Sequence, residues 1–153
     1  MNARYRTPPK GFKLQALLIL TALFCACAED VNYTPPANSR EMAITHYAFG
    51  KMVIDGETYE NDVAIFPDKT VQKWHVKTNH TIQLIDIEAL INDSTEALII
   101  GTGASEICTV KDDIVDYAAS KGIKLIIRDT YEAVRQFNKL PKEGLSACFH
   151  LNC

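Results

Sequence analysis

The sequence has no excess of positive charge. Its 16 lysines and arginines are outnumbered by 19 aspartates and glutamates, for a formal net charge of −3. A nucleic-acid interface works by neutralising phosphates, so the missing basic field excludes nucleic acid as a partner. Aromatic residues are scarce, at 8%, and no Lys/Arg cluster is interleaved with them. There is no C-x-x-C pair and no zinc-ligand spacing, so no metal site is assigned. No internal repeat recurs at a useful period. The longest apolar run, Leu14 to Ala28, is too short for a comfortable membrane span. What is present is 153 residues of ordinary globular composition, enough for one domain with a real core.

The first 28 residues differ from the rest. Arg4, Arg6, Lys10 and Lys13 come with no acidic residue, then the run "LQALLILTALFCACA" ends in Ala26-Cys27-Ala28. A positive region, a short apolar region and a small-residue exit form a secretory signal peptide over 1–28. Its removal leaves 12 positive against 19 negative side chains, a net charge of −7. This reading predicts export, either to the periplasm or to a membrane tether through a lipidated Cys27. Phe24 and Cys25 are poor residues for the lipidation motif. The alternative is a cytoplasmic protein whose translation starts at Met42, where domain-like sequence begins. Cys108, Cys148 and Cys153 are odd in number, which is no disulfide framework and weighs toward a reducing compartment. Residues 29–43, with the Pro-containing "VNYTPPANSRE", read as a polar linker.

From Ile44 onward the pattern is that of a single compact α/β domain over 44–153. Its first half is rich in β-hairpins. "ITHYAF" and "KMVIDG" are strand-like, and Asp55-Gly56 between two such runs predicts a tight hairpin turn. "DVAIFP" and "TVQKWHV" (Thr70 to Val76) extend the β pattern. The second half reads β-α-β-α-β, with a short amphipathic helix "DIEALIN" (Asp86 to Asn92) just ahead of it. "ALIIG" is a continuous apolar strand, as expected of parallel strands buried on both faces, and "IKLII" (Ile123 to Ile127) is a second buried strand. A helix after "ALIIG" starts at a Thr109 cap with Asp112 and Asp113 in its first turn, burying Ile114, Val115, Tyr117 and Ala118. A second helix starts at a Thr130 cap and buries Ala133, Val134 and Phe137. "LSACFHL" closes the chain as a strand of clean period two. Strand-helix alternation with short connections predicts crossovers onto a mixed sheet.

Gly101-Thr102-Gly103 follows a buried strand, as the start of a dinucleotide fingerprint does. The third glycine of that motif would fall at residue 106, which is Glu106, and no lysine follows to make a P-loop. No cofactor is therefore assigned. The place still matters, because ligands of open α/β sheets sit beyond the C-terminal ends of parallel strands. Gly101, Thr102, Gly103 and Ser105 lie at one such end, and Arg128 and Thr130 at the next. Backbone N–H groups there, with the Arg128 guanidinium and a helix N-terminus at Thr130, define a candidate small-molecule or anion site. His46, His75, His80 and His150 are scattered. Cys148 and His150 share a strand face without defining a nucleophile–base pair. Trp74 reads as core packing with a polar edge. No catalytic residue is assigned.

The order of "FGKMVIDGETYENDVAIFPD", Trp74, "ALIIGTG", "TYEAVRQFNKLPKEG" and "FHLNC" resembles one family of small α/β domains. It includes archaeal and bacterial proteins without assigned function, and adipogenesis-associated and complex I assembly factor-like members. The matching positions are Gly50, Gly56, Trp74, Gly101, Gly103, Thr130, Ala133, Asn138, Gly144, His150 and Cys153. The resemblance implies an α/β sandwich around a mixed sheet, no established activity, and for some members an assembly or regulatory role through protein contacts. It also implies an intracellular location. Leu145 stands where the family often has arginine, which removes one anion-binding group near the last strand. The function expected is thus that of a non-enzymatic accessory protein with a protein partner. The alternative is a small-molecule or anion-binding protein using loops 101–105 and 128–130.

Overall fold

In the computed structural model, which describes residues 30–78 and 80–152, the expected alternation of strands and helices is present. The strands are β1 (Val31–Asn32), β2 (Ile44–Ala48), β3 (Lys51–Ile54), β4 (Glu57–Tyr59), β5 (Val63–Ile65), β6 (Val71–Lys73), β7 (Thr81–Ile82), β8 (Ala97–Gly101), β9 (Thr109–Val110), β10 (Lys124–Arg128) and β11 (Leu145–Phe149). The helices are α1 (Leu84–Ile87), α2 (Asp112–Ser120) and α3 (Thr130–Lys139). The segment 1–28 expected to be a signal peptide, with Cys27, and the terminal Cys153 lie outside the described residues.

The hairpin-rich half forms an antiparallel sheet of its own, in the order β1-β2-β3-β4. Asp55 and Gly56 both take positive φ (49° and 85°), the twist that a two-residue hairpin needs, and set Ile54 opposite Glu57. The second sheet runs β10-β8-β11-β5-β6. β10, β8 and β11 are parallel, while β5 and β6 add to them antiparallel, so this is the mixed sheet that the pattern predicts. β7 and β9 make a small separate parallel pair.

Period two decides where each side chain goes. Ile99, Ala147, Phe149, Val63 and Ile65 point to one core, shared with the first sheet and α3. Leu98, Ile100, Cys148 and Ala64 point to a second core on the opposite face, shared with Trp74, Ile87 and Ile114. The centre of the mixed sheet is therefore the middle layer, buried on both sides, which is why "ALIIG" is apolar without alternation, while β10 at the sheet's edge is half-buried and exposes Lys124 and Arg128. Asn138 ties α3 to the first sheet: its side-chain amide accepts from Ile44 N–H (2.9 Å) and donates to Ile44 C=O (2.8 Å).

Several boundaries differ from the sequence reading. The stretch read as a linker contributes β1, which pairs with β2 and buries Val31. Local polarity hides this, because a two-residue strand carries no period. Thr109 does not cap α2. It lies in β9, and Lys111 is the residue before the helix. Of the expected stripe on α2, Ile114 and Ala118 are buried while Val115 is 47% exposed. The helix expected over Asp86 to Asn92 is split: Asp86 and Ile87 end the single turn of α1, and Glu88–Leu90 form a 3-10 turn after it. The strand expected over Thr70 to Val76 stops at Lys73, where Trp74 turns into the second core.

Candidate functional site

β8, β10 and β11 end together, and their exits meet as the sequence predicts. Gly101 stands opposite both Arg128 and Phe149 in the parallel ladders. The loops at 101–105 and 128–130 are hydrogen-bonded neighbours. Thr102 N–H donates to Arg128 C=O (2.9 Å), and Thr130 N–H donates to Gly103 C=O (2.9 Å). Gly103 N–H donates to Thr130 Oγ1 (2.9 Å), and that hydroxyl donates onward to His150 C=O (2.7 Å).

These bonds give most of the predicted site residues a structural job. Thr130 is fully buried and is the first residue of α3 rather than its cap. The cap is Asp129, whose carboxylate accepts from Glu132 N–H (2.9 Å) and places negative charge at the helix start. The Arg128 guanidinium turns back onto Ile127 C=O (2.7 Å), while Ser105 is exposed on the loop. A Cβ on Gly101 would lie 2.9 Å from Thr130 Oγ1 and 3.0 Å from the Phe149 ring, so this glycine serves close packing. Gly103 has φ +100°, a conformation that side chains disfavour. Glu106 also takes a positive φ (54°), and α2 begins only at Asp112, so no helix starts from the glycine turn.

The structure brings together a second group that residue-by-residue reading missed. His150 Nδ1 and Asp62 Oδ2 are 2.6 Å apart, with both side chains largely buried. The other Asp62 oxygen accepts from Leu151 N–H (2.8 Å). His80 packs edge-on against His150, with ring centroids 6.0 Å apart. Histidines that look scattered along the chain thus partly converge. The signal for Asp62 lay in the register: β5 and β11 pair Val63 with Phe149, and one step further sets Asp62 beside His150. An Asp–His pair orients an imidazole, as in acid–base sites, but here it also fastens the end of β11. Tyr47 adds to that fastening by donating to Leu151 C=O (3.2 Å); burial, with Tyr131 beside it, pushes its phenol pKa up.

Cys148 does not reach this cluster. Its side chain is fully buried in the second core, where burial, with the Asp62 carboxylate adding to it, raises the thiol pKa well above the ordinary value. A buried thiol so shifted is no nucleophile at neutral pH. Trp74 is buried, and its indole N–H donates to Asp86 C=O (2.8 Å), the polar edge that a core tryptophan needs. His75 is exposed. Among the described residues, no three His, Cys, Asp or Glu side chains converge to hold a metal ion. Nor is any described helix long and apolar enough to cross a membrane.

Solved structures share this architecture. A conserved hypothetical protein from Pyrococcus horikoshii is 22% identical, with a TM-score of 0.67 over 73% of this chain and 100% of its own. A protein from Bartonella henselae, described as an outer membrane protein, is 22% identical, with a TM-score of 0.63 over 73% of this chain and 96% of its own. A Bordetella pertussis protein described as a Mth938-like domain is 16% identical, with a TM-score of 0.52 over 78% of this chain and 91% of its own. At these identities the likeness is one of fold. The family model described as a protein of unknown function, DUF498/DUF598, matches residues 44–151, from the first strand after Met42 to the residue held by Asp62. This chain belongs to the DUF498/DUF598 family.

Proposed function

We propose that the protein is a non-enzymatic accessory or assembly factor that works through protein contacts. One observation carries the reading. Four amides at the sheet end, those of Thr102, Gly103, Thr130 and Glu132, are already bonded within the fold. Around the same end, large apolar side chains face solvent. Phe49 is 62% exposed next to Gly50, whose N–H bonds Leu151 C=O, and Ile107 is 50% exposed in the loop that Cys108 N–H closes onto Thr102 C=O. Exposed large apolar side chains suit a protein partner better than a small anion. The resemblance to adipogenesis-associated and complex I assembly factor-like domains agrees with this reading.

The test is crosslinking and co-purification of the full chain from its native source, beside the Phe49→Ser/Ile107→Ser variant. The reading expects a stoichiometric partner that the variant loses while its thermal transition is retained. The second reading, an anion held by Ser105 and Arg128, has the adjacency of the two loops in its favour. It predicts a thermal shift with nucleotides, phosphates or acidic metabolites that Arg128→Ala removes. Such a shift, with no partner recovered, would replace the first reading.

Export is part of the proposal, supported by the three-part pattern of residues 1–28. The Bartonella relative's description as an outer membrane protein agrees with it. Intact mass of the natively expressed protein checks this. A start at Glu29, or a lipidated Cys27, is expected, and a start at Met42 would contradict it.

A further inference from the structure

β4 closes one end of the first sheet and β6 closes one end of the mixed sheet. The chain passes from β4 through residues 60–62 into β5, so these two outer strands flank the seam between the sheets. A cleft of about 600 Å³ opens there, lined by Thr58, Tyr59, Glu60, Val71 and Lys73 among others. An adjoining hollow of about 300 Å³ shares Tyr59 and Val71 and adds Met42 and Ile54.

Short, charged edge strands are the usual protection against unwanted pairing, and Glu57 and Lys73 fit that role. Protection does not account for the floor. Tyr59, Val71 and Met42 pack on the first core from beneath while lining the open hollow above it. The walls carry opposite charge: Asp55, Glu57 and Glu60 on the β4 side, Lys69 and Lys73 on the β6 side. An extended strand satisfies all three features. Its backbone meets an unpaired edge, alternate side chains reach the apolar floor, and its charged side chains meet a wall of opposite sign.

The geometry points to this cleft as a docking groove for an extended segment of a partner protein. That segment presents alternate apolar side chains to Tyr59 and Val71 and a basic side chain to Glu57 and Glu60. The inference rests on the protein-contact reading but uses a different surface from Phe49 and Ile107.

The test is amide hydrogen exchange on the full chain with three sets of synthetic peptides of about ten residues. One alternates apolar residues with Lys and Thr, one replaces Lys with Glu, and one interrupts the first with Pro. The Lys set is expected to slow exchange in residues 57–59 and 71–73. Glu57→Lys and Glu60→Lys are each expected to weaken its binding about tenfold, as loss of one well-placed charge contact does. Glu57 also accepts from the Tyr59 hydroxyl (2.9 Å), so Glu60→Lys is the variant that leaves this bond in place. Phe49→Ser is expected to leave peptide binding unchanged.

The inference is overturned if no set slows exchange at either edge, if the Lys and Glu sets bind alike, or if the Pro set binds as well as the first. A partner lost with Phe49→Ser/Ile107→Ser, while no peptide slows exchange at the edges, would sink the cleft and leave the protein-contact reading standing. Peptide binding at the cleft, with a recovered partner that Phe49→Ser/Ile107→Ser does not lose, would uphold the cleft and sink only the Phe49 and Ile107 surface.

Discussion

The end of the mixed sheet and the seam between the two sheets treat polar backbone in opposite ways. At the exits of β8, β10 and β11, amides and carbonyls are tied to one another through Thr130 and His150. Along the outer sides of β4 and β6, no further strand pairs among the described residues. The first region sits where ligands of α/β sheets bind, and it is closed by its own bonds. The second sits where sheet proteins normally discourage contact, and it is open over an apolar floor. Position in a fold is therefore a poor guide to function until the donors and acceptors have been traced.

That contrast can be broken by mutation. Thr130→Val keeps the shape and removes the hydroxyl that joins Gly103 N–H to His150 C=O. Two buried polar groups then lack partners, at about 1–3 kcal/mol each, so a loss of about 3 kcal/mol is expected in urea denaturation. Gly101→Ala pushes a methyl group against Thr130 Oγ1 and the Phe149 ring, and overpacking of this kind costs about 1–3 kcal/mol. Asp62→Asn keeps an acceptor for Leu151 N–H but weakens the bond to His150, for an expected loss of about 1–2 kcal/mol. At the seam, Glu60→Lys is expected to stay within about 0.5 kcal/mol of the parent, as exposed substitutions do. A seam variant that destabilises as much as Thr130→Val would erase the contrast.

A smaller effect sharpens the account of α3. Lys142 is buried, lies over the Phe137 ring and donates to Leu140 C=O at the end of the helix. Burial lowers its pKa below the ordinary lysine value of 10.5. The unfolded chain then holds the proton more tightly, so stability rises as pH climbs from the lowered pKa toward 10.5. Lys142→Met is expected to flatten that rise relative to the parent chain, as read from urea midpoints across alkaline pH.

Much of the fold was legible because apolar period and turn chemistry are local. Asp55-Gly56 announced its hairpin, and the unbroken apolar run of "ALIIG" announced a strand buried on both faces. The adjacency of loops 101–105 and 128–130 followed from parallel pairing alone. What stayed hidden depended on register between distant segments. Asp62 meets His150 across 88 positions, and Thr130 meets Gly103 across 27. Thr130 looked like a cap because it opens a helix, yet the preceding Asp129 does the capping and frees the threonine hydroxyl to close the sheet end. Val31 was missed because a two-residue strand has no pattern to read.

The proposed function requires a sheet end that closes on itself without a ligand, and amide hydrogen exchange of the ligand-free full chain decides whether it does. The account predicts that Thr102, Gly103 and Thr130 exchange as slowly as the interior amides of β8, and that phosphate, nucleotides and acidic metabolites leave those rates unchanged. Fast exchange at these three amides, slowed by any member of that panel, would contradict it.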